Sequence, residues 1–155
     1  MNYPKYTELD ISVEFDVFEF ISKGVGGKIL KKIQFTKTQY HSIYNLGFGD
    51  KRDDGTIDDA VDSKNGDRDK ILATVAGVVY EYTSVYPERS IIFSGSTDAR
   101  TRLYRMAISK NYDELNRDFH IFAIVEENGE IIKMPFENNI VCLGFIVLRK
   151  EIVNI

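Results

Sequence analysis

Apolar and polar residues first alternate between Ile11 and Ile21, where Val13, Phe15, Val17 and Phe18 or Phe20 are the apolar members. A period of two, rich in aromatic and β-branched side chains, predicts a strand. Gly24-Val25-Gly26-Gly27 reads as a hairpin turn, and Lys28 to Phe35 as the returning strand. The lysines of that strand suit a solvated face or a guarded sheet edge. A third strand is expected from Tyr40 to Phe48, with Ile43, Leu46 and Phe48 apolar. The acidic stretch 49–59 carries turn residues and little to bury, so an exposed, mobile loop is expected.

The period changes after Asn65-Gly66-Asp67. Ile71, Leu72, Val75, Val78, Val79, Tyr82 and Val85 recur at helical spacing, with Asp67 placed to cap and Asp69 to complement the dipole. Pro87 ends this main core helix. Gly77 inside it costs about 1 kcal/mol relative to alanine, and a close crossing over the sheet is the expected reason. Arg89 to Ser94 reads as strand four. A second helix runs from Thr97 to about Ser109, with Ala99, Leu103, Met106 and Ala107 on its buried side. Asn111-Tyr112-Asp113-Glu114 has the form of a capping box and starts a short extra turn. Phe119 to Glu126 is strand five, Asn128-Gly129 is a type I′ hairpin signal, and Glu130 to Met134 begins the return. Ile140 to Leu148 is apolar enough to be a central strand. There is no internal repeat, low-complexity tract or interdomain linker. The order β-β-β-α-β-α-β-β predicts one α+β domain over residues 1–155, with 1–10 a loosely held lead-in. Its sheet is mostly antiparallel, of about six to seven strands, with two helices on one face.

Composition narrows the class. At 155 residues and 43% hydrophobic content, the chain can bury a core without a disulfide or metal staple. The net charge of -4 argues against a general nucleic-acid footprint, although a local basic patch can still hold a phosphate. Cys142 is the single cysteine and lies in an apolar run, where a buried, inert thiol is expected. With no intramolecular disulfide to form, no signal-like N-terminus and no run of roughly 18 apolar residues, a cytoplasmic location off the membrane is expected. No His/Cys cluster has metal-ligand spacing, so neither metal nor cofactor is expected.

Chemistry is suggested in one place. Ile91-Ile92-Phe93 runs into Ser94-Gly95-Ser96-Thr97, and a helix with Arg100, Arg102 and Arg105 follows. A strand, a small polar turn and a helix N-terminus can form an anion cradle from backbone N–H groups and the helix dipole. Ser96 and Thr97 would add hydroxyls, and Arg100 a charge one turn on. Arg100 and Tyr104 share a helix face, and Arg102 and Arg105 another. Arginine and tyrosine together could grip a nucleotide by charge and stacking. The plainer reading is a Thr97 or Ser96 cap with the arginines solvated or paired to acidic groups. The spaced glycines and lysine of a P-loop are missing, which argues against a nucleoside triphosphatase.

Other candidates have plain readings too. Asn65-Gly66-Asp67-Arg68-Asp69-Lys70 offers a general base or metal ligand in Asp67 or Asp69, or simply a cap with ion pairs. An EF-hand register from Asp50 fails at Arg52 and Val61, where ligands belong. His41 and His120 form an acid–base pair only if the fold joins them.

Three strings together resemble a family of short uncharacterised proteins from Bacteroidetes-type bacteria. They are Tyr44-Asn45-Leu46-Gly47-Phe48-Gly49-Asp50, the stretch 65–76, and Gly95-Ser96-Thr97-Asp98-Ala99-Arg100-Thr101-Arg102-Leu103-Tyr104. The resemblance spans most of the chain. It implies a bacterial, cytosolic, single-domain protein and brings no catalytic residues.

Three functions stay open. The first is a binding module for a phosphate-bearing ligand or a partner's acidic group, using Ser96, Thr97, Arg100, Arg102 and Tyr104. The second is an interaction component of antitoxin or immunity type, or a homodimer, with the aromatic first strand (Phe15, Phe18, Phe20) as a candidate edge. The third is a metal-independent nuclease or phosphotransfer enzyme using His41 or His120 with Arg100, Arg102 and Tyr104.

Overall fold

The computed structural model describes residues 4–59 and 65–151. Within them the chain forms nine strands and three helices, an α+β composition with mostly antiparallel pairing. The counts exceed the expected six to seven strands and two helices because short elements form where the pattern showed only turns. The chain divides into two compact units, Met1–Lys37 with Asn45–Tyr86, and Thr38–Tyr44 with Pro87–Ile155.

In the first unit the run from Ile11 to Ile21 is broken. β1 (Asp10–Ile11) and β2 (Val17–Gly24) pair antiparallel around a tight turn. Ser12 closes that turn. Its Oγ donates to Asp16 Oδ1 at 2.7 Å and accepts from the Asp16 and Val17 amides. Phe15 sits at φ +60, and its ring meets Phe18 edge-on at 5.0 Å. Local hydroxyl–carboxylate bonding thus wins over alternation.

β2 and β3 (Gly27–Lys37) form the hairpin expected at Val25-Gly26. β4 (Ile43–Lys51) runs three residues further than expected, and β5 (Ile57–Asp58) folds back on it. Much of the acidic stretch is therefore a hairpin, not a free loop. Asp54 accepts from the Thr56 amide and hydroxyl, which hold its carboxyl below its ordinary value.

One face of this sheet is buried by Phe18 and Phe20 on β2, Ile33 and Phe35 on β3, and Leu46 on β4. Helix α1 (Arg68–Val85) contributes Ala73, Thr74, Val78, Tyr82 and Thr83. Tyr82 stacks on Phe35 at 3.8 Å. The two buried threonines return their hydroxyls to helix carbonyls, Thr74 to Lys70 and Thr83 to Val79, both at 2.7 Å. Each buried hydroxyl thus has an acceptor. Val85, expected inside, is half exposed. Gly77 is explained by Lys5. A Cβ there would lie 3.3–3.4 Å from the Lys5 Nζ and Cδ, so the lead-in chain rather than the sheet makes the close approach.

In the second unit, β6 (Ser90–Phe93), β9 (Gly144–Arg149), β7 (Phe119–Glu127) and β8 (Glu130–Pro135) lie side by side in that order. β9 is central and buried from Gly144 to Val147, as its apolar run requires. It begins only at Gly144, so Ile140 to Leu143 lie outside it. The Asn128-Gly129 turn has both residues at positive φ, the geometry of a type I′ turn. Helix α2 (Asp98–Lys110) buries Thr101 and Ile108 alone. Ala99 is exposed and Met106 is 54% exposed, against expectation. The extra turn is a helix, α3 (Tyr112–Asp118). Asn111 ends α2, its Nδ2 donating to the Ala107 carbonyl at 2.8 Å, and does not cap α3 with its side chain.

Candidate functional site

The turn between β6 and α2 is built as the sequence suggests. Thr97 is extended, and its Oγ1 accepts from the Arg100 amide at 3.2 Å, so it caps α2. Thr101, one turn in, receives the Gly95 amide on its hydroxyl at 3.1 Å. Gly95 lies so close to the first turn that a Cβ would overlap Arg100 Cβ and the Thr101 amide. Only glycine fits that approach. Ser96, Thr97 and Asp98 remain exposed, and Arg100 and Tyr104 are half-buried. The Tyr104 ring meets Phe93 edge-on at 5.9 Å, which anchors this side of the helix to β6.

The helix sorts its arginines. At 3.6 residues per turn, Arg100 and Arg102 stand about 200° apart around α2. Arg100 shares its side with Tyr104, while Arg102 sits beside Arg105 and Met106. Arg105 reaches across to the Ile140 carbonyl at 3.0 Å and so ties the 137–143 loop to α2. That loop exposes Val141 (86%) and Leu143 (49%). Cys142 is half-buried there rather than sealed in a strand. Partial burial pushes its thiol up, opposed by the nearby Arg105 charge and the Gly144 amide.

A second constellation, in the first unit, was only half legible. Asn65 is buried and fully used. Its Nδ2 donates to Ser22 Oγ and the Gly27 carbonyl at 3.0 Å each, and its Oδ1 accepts from the Gly26 amide at 2.5 Å. Its carbonyl accepts from Val25 and leaves no room for a Cβ on Gly24. Ser22 Oγ donates to Asp67 Oδ2 at 2.6 Å, and the same oxygen accepts from the Tyr6 hydroxyl. Asp67 thus fails to cap α1 with its side chain, the role expected of it, because Ser22 and Tyr6 claim its carboxylate. The string 65–70 pointed here, but Ser22 and Tyr6 are 45 and 61 residues away from Asp67, beyond any spacing argument.

The remaining candidates do not converge. His41 is exposed ahead of β4, and His120 is exposed on β7. His41 lies in a turn outside the strands, and His120 is in register with Leu148 of β9. The carboxylates of the tested EF-hand register turn to protein partners. Asp50 pairs with the buried Lys31, Asp54 with Thr56, and Asp58 with Arg52 at 3.7 Å.

Residues 2–150 match a family of unknown function, DUF6934, and the chain belongs to that family. No curated protein and no solved structure matches the chain.

Proposed function

We propose that this DUF6934 protein is a binding module that receives an anionic group, a phosphate-bearing ligand or a partner's acidic side chain, at the β6–α2 turn. The observation that carries the reading is the character of α2. A helix of 13 residues buries only two of them and carries Arg100, Arg102, Arg105 and Lys110 against one acidic residue, Asp98. A helix kept for its core contribution shows a broad apolar stripe, and this one does not. Its N-terminus opens at exposed Ser96 and Thr97, where backbone N–H groups favour negative charge. Arg100 and Tyr104 flank that end on one side and would supply charge and a ring face. Arg102, on the far side, would meet a larger anionic partner.

A cytosolic setting belongs to the same proposal. A protein-interaction role is favoured by one further observation, the exposed Met106, Val141 and Leu143. The nuclease reading finds no such support, since His41 lies exposed in the turn ahead of β4 and His120 exposed on β7.

The test is a thermal-shift screen with phosphate, sulfate, mono- and cyclic nucleotides and short RNA. A ligand of the native state raises Tm. The expected result is a rise in wild type that vanishes in a still-folded Arg100→Ala variant and survives, weakened, in Arg102→Ala. No rise with any anion, or an equal rise in Arg100→Ala, would overturn the site. An unfolded Arg100→Ala would make that arginine structural.

A further inference from the structure

We propose that residues 4–8 form a releasable strap, clasped by Tyr6, that closes over the polar cluster of Ser22, Asn65 and Asp67 at the start of α1. This inference is independent of the anion site, because every group in it belongs to the first unit.

Pro4, Lys5, Thr7 and Glu8 are exposed, and Tyr6 alone of the five is drawn in. Its contacts are of four kinds. The Tyr6 amide donates to Thr74 Oγ1 at 2.9 Å. The ring stacks on Phe20 at 5.3 Å, and the Lys70 ammonium stands over it at 4.1 Å. The hydroxyl donates to Asp67 Oδ2 and accepts from the Lys23 amide at 2.9 Å. Lys5 lies across α1 at Gly77, where the missing side chain leaves the path open. One aromatic side chain therefore joins the lead-in to β2, to α1 and to the segment before α1.

The closed state is incomplete in one respect. Asp67 Oδ1 is buried with no hydrogen-bond partner among the described residues. A buried acceptor without a donor is unfavourable. Lifting Tyr6 breaks its bonds to Asp67, Lys23 and Thr74 and leaves Asp67 Oδ2 with Ser22. The β2–β3 pairs involve no residue of the strap, so it opens without the sheet below it. When open, it presents the Asp67 carboxylate and the ring face of Phe20 to solvent.

Residue-resolved amide exchange of wild type, Tyr6→Phe and Tyr6→Ala tests this. In wild type the Lys23 amide should exchange faster than those of Ile33 and Phe35, since strap opening frees it while β3 stays paired. Equal rates would overturn the releasable strap. In both variants exchange at Lys23, Val25 and Gly26 should rise about tenfold or more, with Tyr6→Phe, which keeps the ring stack, the milder. Amides of β9 should not change. A uniform rise in both units would reduce Tyr6 to a general stability residue, and no rise would remove the clasp. Should Tyr6→Ala fail to fold, Tyr6→Phe alone decides.

Discussion

Single polar groups in this protein are placed by what they can bond, more than by their class. Lys31 is buried on the core face of β3 because Asp50 meets it there, and Asn65 is buried because each of its polar atoms finds a partner. Tyr6 follows the same rule, and its titration gives a test. Burial, then the Asp67 carboxylate, pushes its phenol above the ordinary value near 10, while the Lys23 amide pulls the other way. The charged groups that face it are Asp67 and Lys70, with Lys23 contributing only its backbone. A group whose folded value is raised adds stability in full below its unfolded value and loses it as pH climbs through the folded one. Wild type should therefore melt above Tyr6→Phe at pH 8, and the gap should hold to about pH 10 and close above it. Paired melting curves from pH 8 to 11 check this; a gap that widens with alkalinity would reverse the assignment.

At the scale of elements, the hairpins and the Thr97 cap were legible, while the expected Asp67 and Asn111 caps and the buried face of α2 were not. Val25-Gly26 and Asn128-Gly129 turn where expected, because glycine chemistry in a tight turn is local. Thr97 caps α2 for the same reason. The buried side of α2 differs from the expected one, Thr101 and Ile108 turning inward in place of Ala99 and Met106, because the surfaces it packs on lie far away in sequence. α1 holds a glycine whose reason is also tertiary. Gly77→Ala should gain about 1 kcal/mol of helix propensity, because the Lys5 side chain crossing there ends in a flexible ammonium that can swing aside. Tm is expected to rise by about 2–4 °C. A fall would show that the Lys5 stem is held fast on α1.

For the molecule as a whole, the charge balance sets what the α2 surface can hold. The chain is net negative at -4, and its cations on α2 form a local exception. A long polyanion would meet repulsion elsewhere, while a small anion or one acidic group would feel chiefly the near field. If short single-stranded RNA binds, it should make one or two cationic contacts. The slope is about -0.7 per contact, so a fourfold rise in salt costs roughly 3- to 7-fold in affinity. Fluorescence anisotropy between 50 and 200 mM salt measures this; a slope near -4 would indicate a nucleic-acid surface instead of a single anion site.

Composition and local pattern were enough to determine an α+β chain with a disulfide-free core, two glycine hairpins, a capped cationic helix after β6 and a second helix ahead of it. Each of these rests on interactions between residues a few positions apart. The sequence string at 65–70 also marked a place of consequence, but not its meaning. Tertiary structure alone decided that Asp67 serves Ser22 and Tyr6 rather than its own helix, that Lys5 crosses α1 at Gly77, and that Cys142 leaves the strand. Those outcomes depend on which distant segments share a surface. Burial and hydrogen-bond satisfaction settle that jointly for the folded chain, and no spacing along it records the result.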